Sequence, residues 1–229
     1  MKVLLTIAAL VEATNLSCGQ GYVQFNNYSG SRFSTNAPGS TPGVGFHLAP
    51  AAPVGSFYFA LFAAPSTQNT VTTTLDPTLN GWTYVAIGTN TSLAGRLDGN
   101  NSDSGTGVNV PGFATGTTAD FAVAGWSSNL GTSWAQAQAW WNNGLGNGPV
   151  AGNGLDGWFG INPTIGDNFY VAAFGGPYNN PFGTAALAGY INGWGLNWYD
   201  VPEPSLLSIT GLSVATWLVS RRRKRSGRG

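Results

Sequence analysis

The sequence predicts an all-β domain, an antiparallel β-sandwich of jelly-roll-like build with one short helix, and three observations carry that prediction. Apolar and aromatic residues come in short runs separated by Gly, Asn, Pro and Thr. The helical intervals of repeated βαβ units are missing between them, so neighbouring strands are expected to pair antiparallel. One stretch alone carries a helical pattern with both a start and a stop signal. Charged residues make up 8% of the chain and aromatic ones 13%, and every aromatic except Trp217 lies between Gly21 and Asp200. That stretch therefore has the apolar surface to form a core, which a disordered segment lacks.

In chain order, the first element is a targeting segment. Lys2 precedes an apolar run from Val3 to Val11, and the small residues Ser17 and Gly19 follow. This is the layout of a secretory signal peptide, expected over residues 1–19 with cleavage before Gln20. The β-domain is then expected over residues 20–200. Its strand candidates are YVQFNNY from Tyr22, SFYFALFA from Ser56, WTYVAIG from Trp82, DFAVAGW from Asp120, NFYVAAF from Asn168 and ALAGYINGWGLNWY from Ala186. Both faces of SFYFALFA are apolar, which suits a strand buried on both sides. DFAVAGW alternates Phe121 and Val123 with alanines, as a half-buried strand would. Phe57, Phe59, Leu61, Val85, Phe121, Val123, Phe169 and Val171 are the expected core. Between these strands, Ser133 caps a helix over WAQAQAWW, with Trp134, Gln138 and Trp141 on one face and Gly144 as the C-cap.

The last element, residues 201–229, begins with Val201, Pro202, Glu203, Pro204 and Ser205. A run of 14 residues from Leu206 to Val219 follows, then the block Arg221, Arg222, Arg223, Lys224 and Arg225. As a helix the run spans about 21 Å, against a hydrocarbon core of ~30 Å, so it is a single membrane helix of marginal length. The cationic block is expected to stay on the cytoplasmic side and leave the domain outside. Pro202 and Pro204 keep the preceding segment extended, because each fixes φ and lacks an amide donor.

A Pro-Glu-Pro motif, a short apolar helix and a terminal arginine cluster in that order resemble the PEP-CTERM sorting signal of Gram-negative bacteria. The resemblance covers the tail from Val201 to Gly229. It implies recognition by an exosortase, a membrane-embedded transpeptidase-like enzyme. It also implies transient or lasting attachment to the inner membrane, with a destination at the cell surface or in an extracellular matrix of exopolysaccharide. The stretch from Asp120 through Trp141 is similar to uncharacterised ectodomains that carry the same tail. The plain alternative is a permanent single-pass anchor with a Pro-rich linker.

Several functions are excluded or left weak by composition. The nine basic residues balance nine acidic ones, but six of the nine, Arg228 with the block before it, stand in the tail. From Gly21 to Asp200 two arginines, Arg32 and Arg96, face seven aspartates, so nucleic acid is not an expected partner. Cys18 is the only cysteine and His47 the only histidine, which denies the domain a disulfide, a thiol nucleophile and a two-histidine metal centre. Asp120 and Asp156 are the nearest approach to a glycosidase carboxyl pair. Asp98, Asn100, Asn101 and Asp103 cluster oxygen donors, but Asn109 stands where an EF-hand needs its twelfth, acidic ligand. No catalysis, no cofactor and no metal are expected. The leading reading is a non-catalytic exported surface or matrix protein. The alternative is a secreted carbohydrate-binding module that stacks sugar rings on Trp140, Trp141, Trp158, Tyr178 and Trp194, and it requires those rings to lie exposed.

Overall fold

Residues 20–38, 45–68, 71, 79–99, 107–145, 156–163, 165–172, 179–182 and 189–199 are described by the computed structural model. Within them lie β1 Gln20–Val23, β2 Ser34–Thr35, β3 His47–Leu48, β4 Phe57–Pro65, β5 Thr83–Asn90 and β6 Leu97–Asp98. β7 Val108–Ala114, β8 Thr118–Ser127, helix α1 Trp134–Leu145, β9 Gly157–Ile161, β10 Gly166–Tyr170 and β11 Gly195–Tyr199 complete the chain order. Each of the six expected runs overlaps a strand, while the two-residue strands β2, β3 and β6 and the longer β7 and β9 are additions. The expected signal peptide and the whole tail from Val201 lie outside the described residues.

Nine strands form one sheet in the order β3-β2-β11-β9-β8-β4-β5-β6, with β10 also on β8, and β1 and β7 form a separate pair. β8 is long enough to hold two partners on one edge: Thr118 to Phe121 pairs with β10, and Ala124 to Trp126 with β9. Pairing is antiparallel except between β2 and β11, which run parallel, a departure from the purely antiparallel arrangement expected. The sheet is curled. The chain between β1 and β2 ties its distant parts together, since Gly99 donates to the Phe25 carbonyl at 2.7 Å and Phe33 to the Gly95 carbonyl at 3.0 Å. Tyr22 and Ala172 exchange backbone bonds of 2.8 and 3.0 Å, which joins the β1–β7 pair to the end of β10.

β4 and β8 are paired along their whole length, from Phe57 opposite Ser127 to Pro65 opposite Ala119. Side chains alternate across a strand, so this central ribbon divides two cores. Phe57, Phe59, Leu61, Phe121 and Val123 point into the larger one, where Val23, Phe33, Val110 and Leu196 meet them. Ala60, Phe62, Ala122, Ala124 and Trp126 point the other way, toward α1. The half-buried strand expected at DFAVAGW is thus buried on both faces from Ala119 through Ser127. Its alanines are a floor for the helix. Of the eight expected core residues, Phe57, Phe59, Leu61, Phe121, Val123 and Val171 are buried, whereas Val85 and Phe169 are half-buried and pack on the rim.

Local chemistry explains why α1 starts at Trp134. The Ser133 hydroxyl accepts from the Gln136 amide at 3.3 Å, and Gln136 Oε1 accepts from the Ser133 amide at 3.2 Å. This is a reciprocal capping box, which satisfies two amides that have no helical partner. The helix continues to Leu145, so Gly144 lies within it and is not its C-cap. Its buried face is Ala137, Trp140 and Trp141, with Trp134 half-buried against the same core.

Buried asparagines fasten the connections. Asn27 donates from Nδ2 to the Ser31 and Gly95 carbonyls, both at 2.9 Å, and accepts from the Leu97 amide at 2.8 Å. Asn90 accepts from the Phe57 amide at 2.9 Å and donates to the Pro53 and Ala52 carbonyls at 2.9 and 3.1 Å. Such side chains mimic a strand edge where no strand is present, and they leave few buried donors unpaired.

Candidate functional site

The aromatic residues expected to form a sugar-binding platform are placed mostly inside. Trp140 and Trp141 are 5% and 9% exposed. They belong to the core beneath α1, where the Trp141 and Phe159 rings lie 4.8 Å apart and Trp141 meets Tyr199 edge-on at 5.5 Å. Trp194 is 5% exposed and packs in the other core, against Phe59 at 6.0 Å and Phe182 at 6.3 Å. These three rings serve packing, because each element carrying them must cover one face of the central ribbon. Tyr178 lies outside the described residues. Trp158 alone among the described four is half-buried. The five do not form one exposed plane.

Trp158 belongs to a local arrangement that includes two residues not singled out from sequence, Asn36 and Trp198. β9 and β11 pair Trp158 directly with Trp198, and their rings meet edge-on at 4.4 Å. Trp158 Nε1 donates to the Asn36 carbonyl at 2.9 Å, and Asn36 Oδ1 accepts from the Trp198 amide at 2.6 Å. Asn36 is 2% exposed, and its Nδ2 is buried without a hydrogen-bond partner. The asparagine ties the end of β2 to β9 and β11 and fixes the Trp158 ring through its Nε1. Cross-strand aromatic pairing is the sequence signal that marks Trp158 and Trp198 together, and it becomes readable once the register is known.

The candidate carboxyl pair does not assemble. Asp120 is fully buried in β8, while Asp156 is exposed ahead of β9, where its carbonyl accepts from Asn129 Nδ2. Asn129 lies beyond the far end of β8, and from Asp120 to Ser127 alone the strand advances about 23 Å at ~3.3 Å per residue. Glycosidase carboxyls stand ~5–9.5 Å apart. His47 is an exposed residue of β3, opposite Thr35. Asp98 ends β6 exposed, whereas Asn100, Asn101 and Asp103 lie outside the described residues. No group of three or more His, Cys, Asp or Glu residues suited to a metal occurs among the described residues.

Burial pushes the Tyr199 hydroxyl well above the ordinary tyrosine value, against a smaller opposing effect of Asn197. Tyr199 touches both helix tryptophans, so its neutral form belongs to the packing beneath α1.

Val201, Pro202, Glu203, Pro204, Ser205 and the block Arg221, Arg222, Arg223, Lys224 and Arg225 also lie outside the described residues. Among the described residues no helix is long and apolar enough to cross a membrane. No protein-family model, no curated protein and no solved structure matches the chain.

Proposed function

We propose that the chain is an exported, non-catalytic surface or extracellular-matrix protein whose C-terminal segment is a PEP-CTERM sorting signal read by an exosortase. One observation carries the reading: Val201-Pro202-Glu203-Pro204-Ser205, the run from Leu206 to Val219, and Arg221 to Arg225 follow one another in that order. Each part has a physical role. The arginines hold the tail's end inside, the short run pauses in the inner membrane, and the prolines present an extended peptide at its outer surface. The Lys2 and Val3 to Val11 pattern supports export independently. The ectodomain is read as a jelly-roll-like sandwich, a reading supported by the core that Val23 of β1 and Val110 of β7 share with Phe59 and Phe121. The ring positions above leave the tryptophan-platform reading of a carbohydrate-binding module without support.

The test replaces Pro202→Ala, Glu203→Ala and Pro204→Ala together and follows intact mass and cell fractionation. Full-length protein should accumulate in the inner membrane while insertion remains intact. A triple variant that matures and localises like the wild type would leave the tail as a plain anchor.

A further inference from the structure

We infer that the outward face of β2, β3 and the turn before β6 binds an acidic polysaccharide, with Arg32 and Arg96 holding its carboxylate or sulfate groups. The inference concerns the domain and holds whether or not the tail is a sorting signal. Arg32 and Arg96 are the only arginines or lysines between Gln20 and Asp200. The fold brings these two, 64 positions apart in sequence, onto adjoining backbone. Phe33 donates to the Gly95 carbonyl at 3.0 Å, and a Cβ on Gly95 would stand 3.0 Å from the Arg32 Cβ and 2.5 Å from Leu48 Cδ1. Gly95 also has φ of +65°, so glycine is demanded there both by conformation and by this close approach.

Direction follows from alternation. Phe33 and Leu97 point into the core, so Arg32 and Arg96 point away from it. Arg32 and Arg96 are half-buried as residues, and the Nε of each is buried with no hydrogen-bond partner among the described residues. Among the described residues no carboxylate therefore clasps either one side-on. With each Nε buried, the terminal Nη groups are what this pair of cations offers to an oxyanion from outside. The same face carries exposed apolar side chains: Leu48 at 45%, Leu93 at 64% and Phe46 at 36%. Phe46 lies over Gly195, where a Cβ would meet its ring at 2.1 Å. Two cations beside the exposed Leu48 suit a sugar ring, which offers C–H groups on one side and a carboxylate or sulfate at its edge. Asp98, exposed two positions after Arg96, lies on the same side by that alternation and bounds the face; with the aspartates elsewhere it repels a polyanion, so the two arginines give the chain its orientation.

The experiment measures binding of the full-length chain to polygalacturonate, dextran sulfate, neutral dextran and poly-glutamate at low and high salt. The tail's own arginines are a competing cationic site, so every measurement is repeated on a chain carrying Arg221→Gln, Arg222→Gln, Arg223→Gln, Lys224→Gln and Arg225→Gln. The inference expects that tail-neutralised chain to bind polygalacturonate or dextran sulfate, weakening with salt. Arg32→Gln with Arg96→Gln should then reduce affinity at least tenfold, and dextran should not bind. Which of the two acidic polymers binds tells carboxylate from sulfate. Binding that disappears with the tail substitutions alone overturns the inference, as does binding unchanged by Arg32→Gln with Arg96→Gln. Poly-glutamate bound as tightly as the polysaccharides would overturn the saccharide assignment. Should the double arginine variant fail to fold, the tail-neutralised full-length chain with Arg32 and Arg96 intact supplies the decision against the bound polymer stripped of its charge, carboxyl-reduced polygalacturonate or desulfated dextran: retained affinity sinks the proposal.

Discussion

The two faces of the β4–β8 ribbon solve the same burial problem with opposite materials. One face is built of bulky side chains, Phe57, Phe59, Leu61, Phe121 and Val123, which pack with side chains drawn from along the chain, from Val23 to Leu196. The other is nearly flat, with Ala60, Ala122 and Ala124 between Phe62 and Trp126, and a large share of its cover is Trp134, Trp140 and Trp141 from a single helix. The first face needs precise return of distant strands, and the second needs one helix to dock. Glycine also belongs to the first design. A Cβ on Gly125 would meet the Phe59 ring at 2.8 Å, so the residue opposite Phe59 must be small. The number of glycines and the number of aromatics in this sequence are thus parts of one packing rule.

The largest effect is expected from emptying the bulky face. Phe121 is fully buried, and Phe121→Ala should cost roughly 3–5 kcal/mol, the usual range for a phenylalanine whose cavity cannot collapse. Denaturant titration measures it. A loss below about 1 kcal/mol would mean that the core relaxes around the void and that the two faces are less different than their packing implies.

The flat face should fail in the reverse direction. Ala124→Leu adds volume in the core that α1 covers, and overpacking costs about 1–3 kcal/mol. If the comparison is right, near-ultraviolet circular dichroism from the helix tryptophans should change while the strand signal persists. An equal loss of strand signal would show that the helix and the ribbon form one cooperative unit. Below this in size stands Ser133→Ala, which removes one half of the capping box and should cost about 1 kcal/mol. Gln136→Ala should act on the same contact, so the double variant is expected to lose less than the sum of the two. Additive losses would mean that the two side chains do not act as a box.

Much of the bulky face was legible in the sequence, because Phe57, Phe59, Leu61, Phe121 and Val123 repeat every second residue within unbroken apolar runs. The flat face was not. Alanine between large residues looks like the solvent side of a half-buried strand, and nothing local says that a helix many residues later covers it. β7 was missed because Pro111 and Gly112 interrupt it. They are tolerated since the register slips there, Gly21 facing Val110 while Gln20 faces Ala114, so the residues between need no ladder bond. β9 was hidden by Gly157 and Gly160, which are small because Leu130 and the Gly195 carbonyl approach them closely. The tryptophan platform failed for a related reason: an aromatic run reads the same whether a ring faces a ligand or a neighbouring strand. Arg32 and Arg96, far apart in sequence, have no shared pattern at all until Phe33 bonds to Gly95.

The smallest effect sharpens the comparison from the chemical side. Tyr199 closes the flat face, and burial raises its hydroxyl above the value of 10.0 expected for an exposed tyrosine. In the unfolded chain it ionises near that value, so above about pH 10 the unfolded state releases a proton that the folded state retains. Stability therefore declines as pH rises from about 10 toward the folded value, and it is unaffected at neutral pH. Tyr84 is raised in the same direction by burial, but it is 42% exposed and solvent screens its share. Tyr199→Phe should leave neutral-pH stability nearly unchanged, since the ring contacts with Trp140 and Trp141 survive and only the hydroxyl is lost. Its alkaline decline should be shallower than that of the wild type. Melting temperature followed across alkaline pH, with tyrosinate absorbance recorded in parallel, distinguishes the outcomes. Identical alkaline slopes for the two chains would show that Tyr199 ionises as freely as a surface tyrosine, and the flat face would then be open to water at that end.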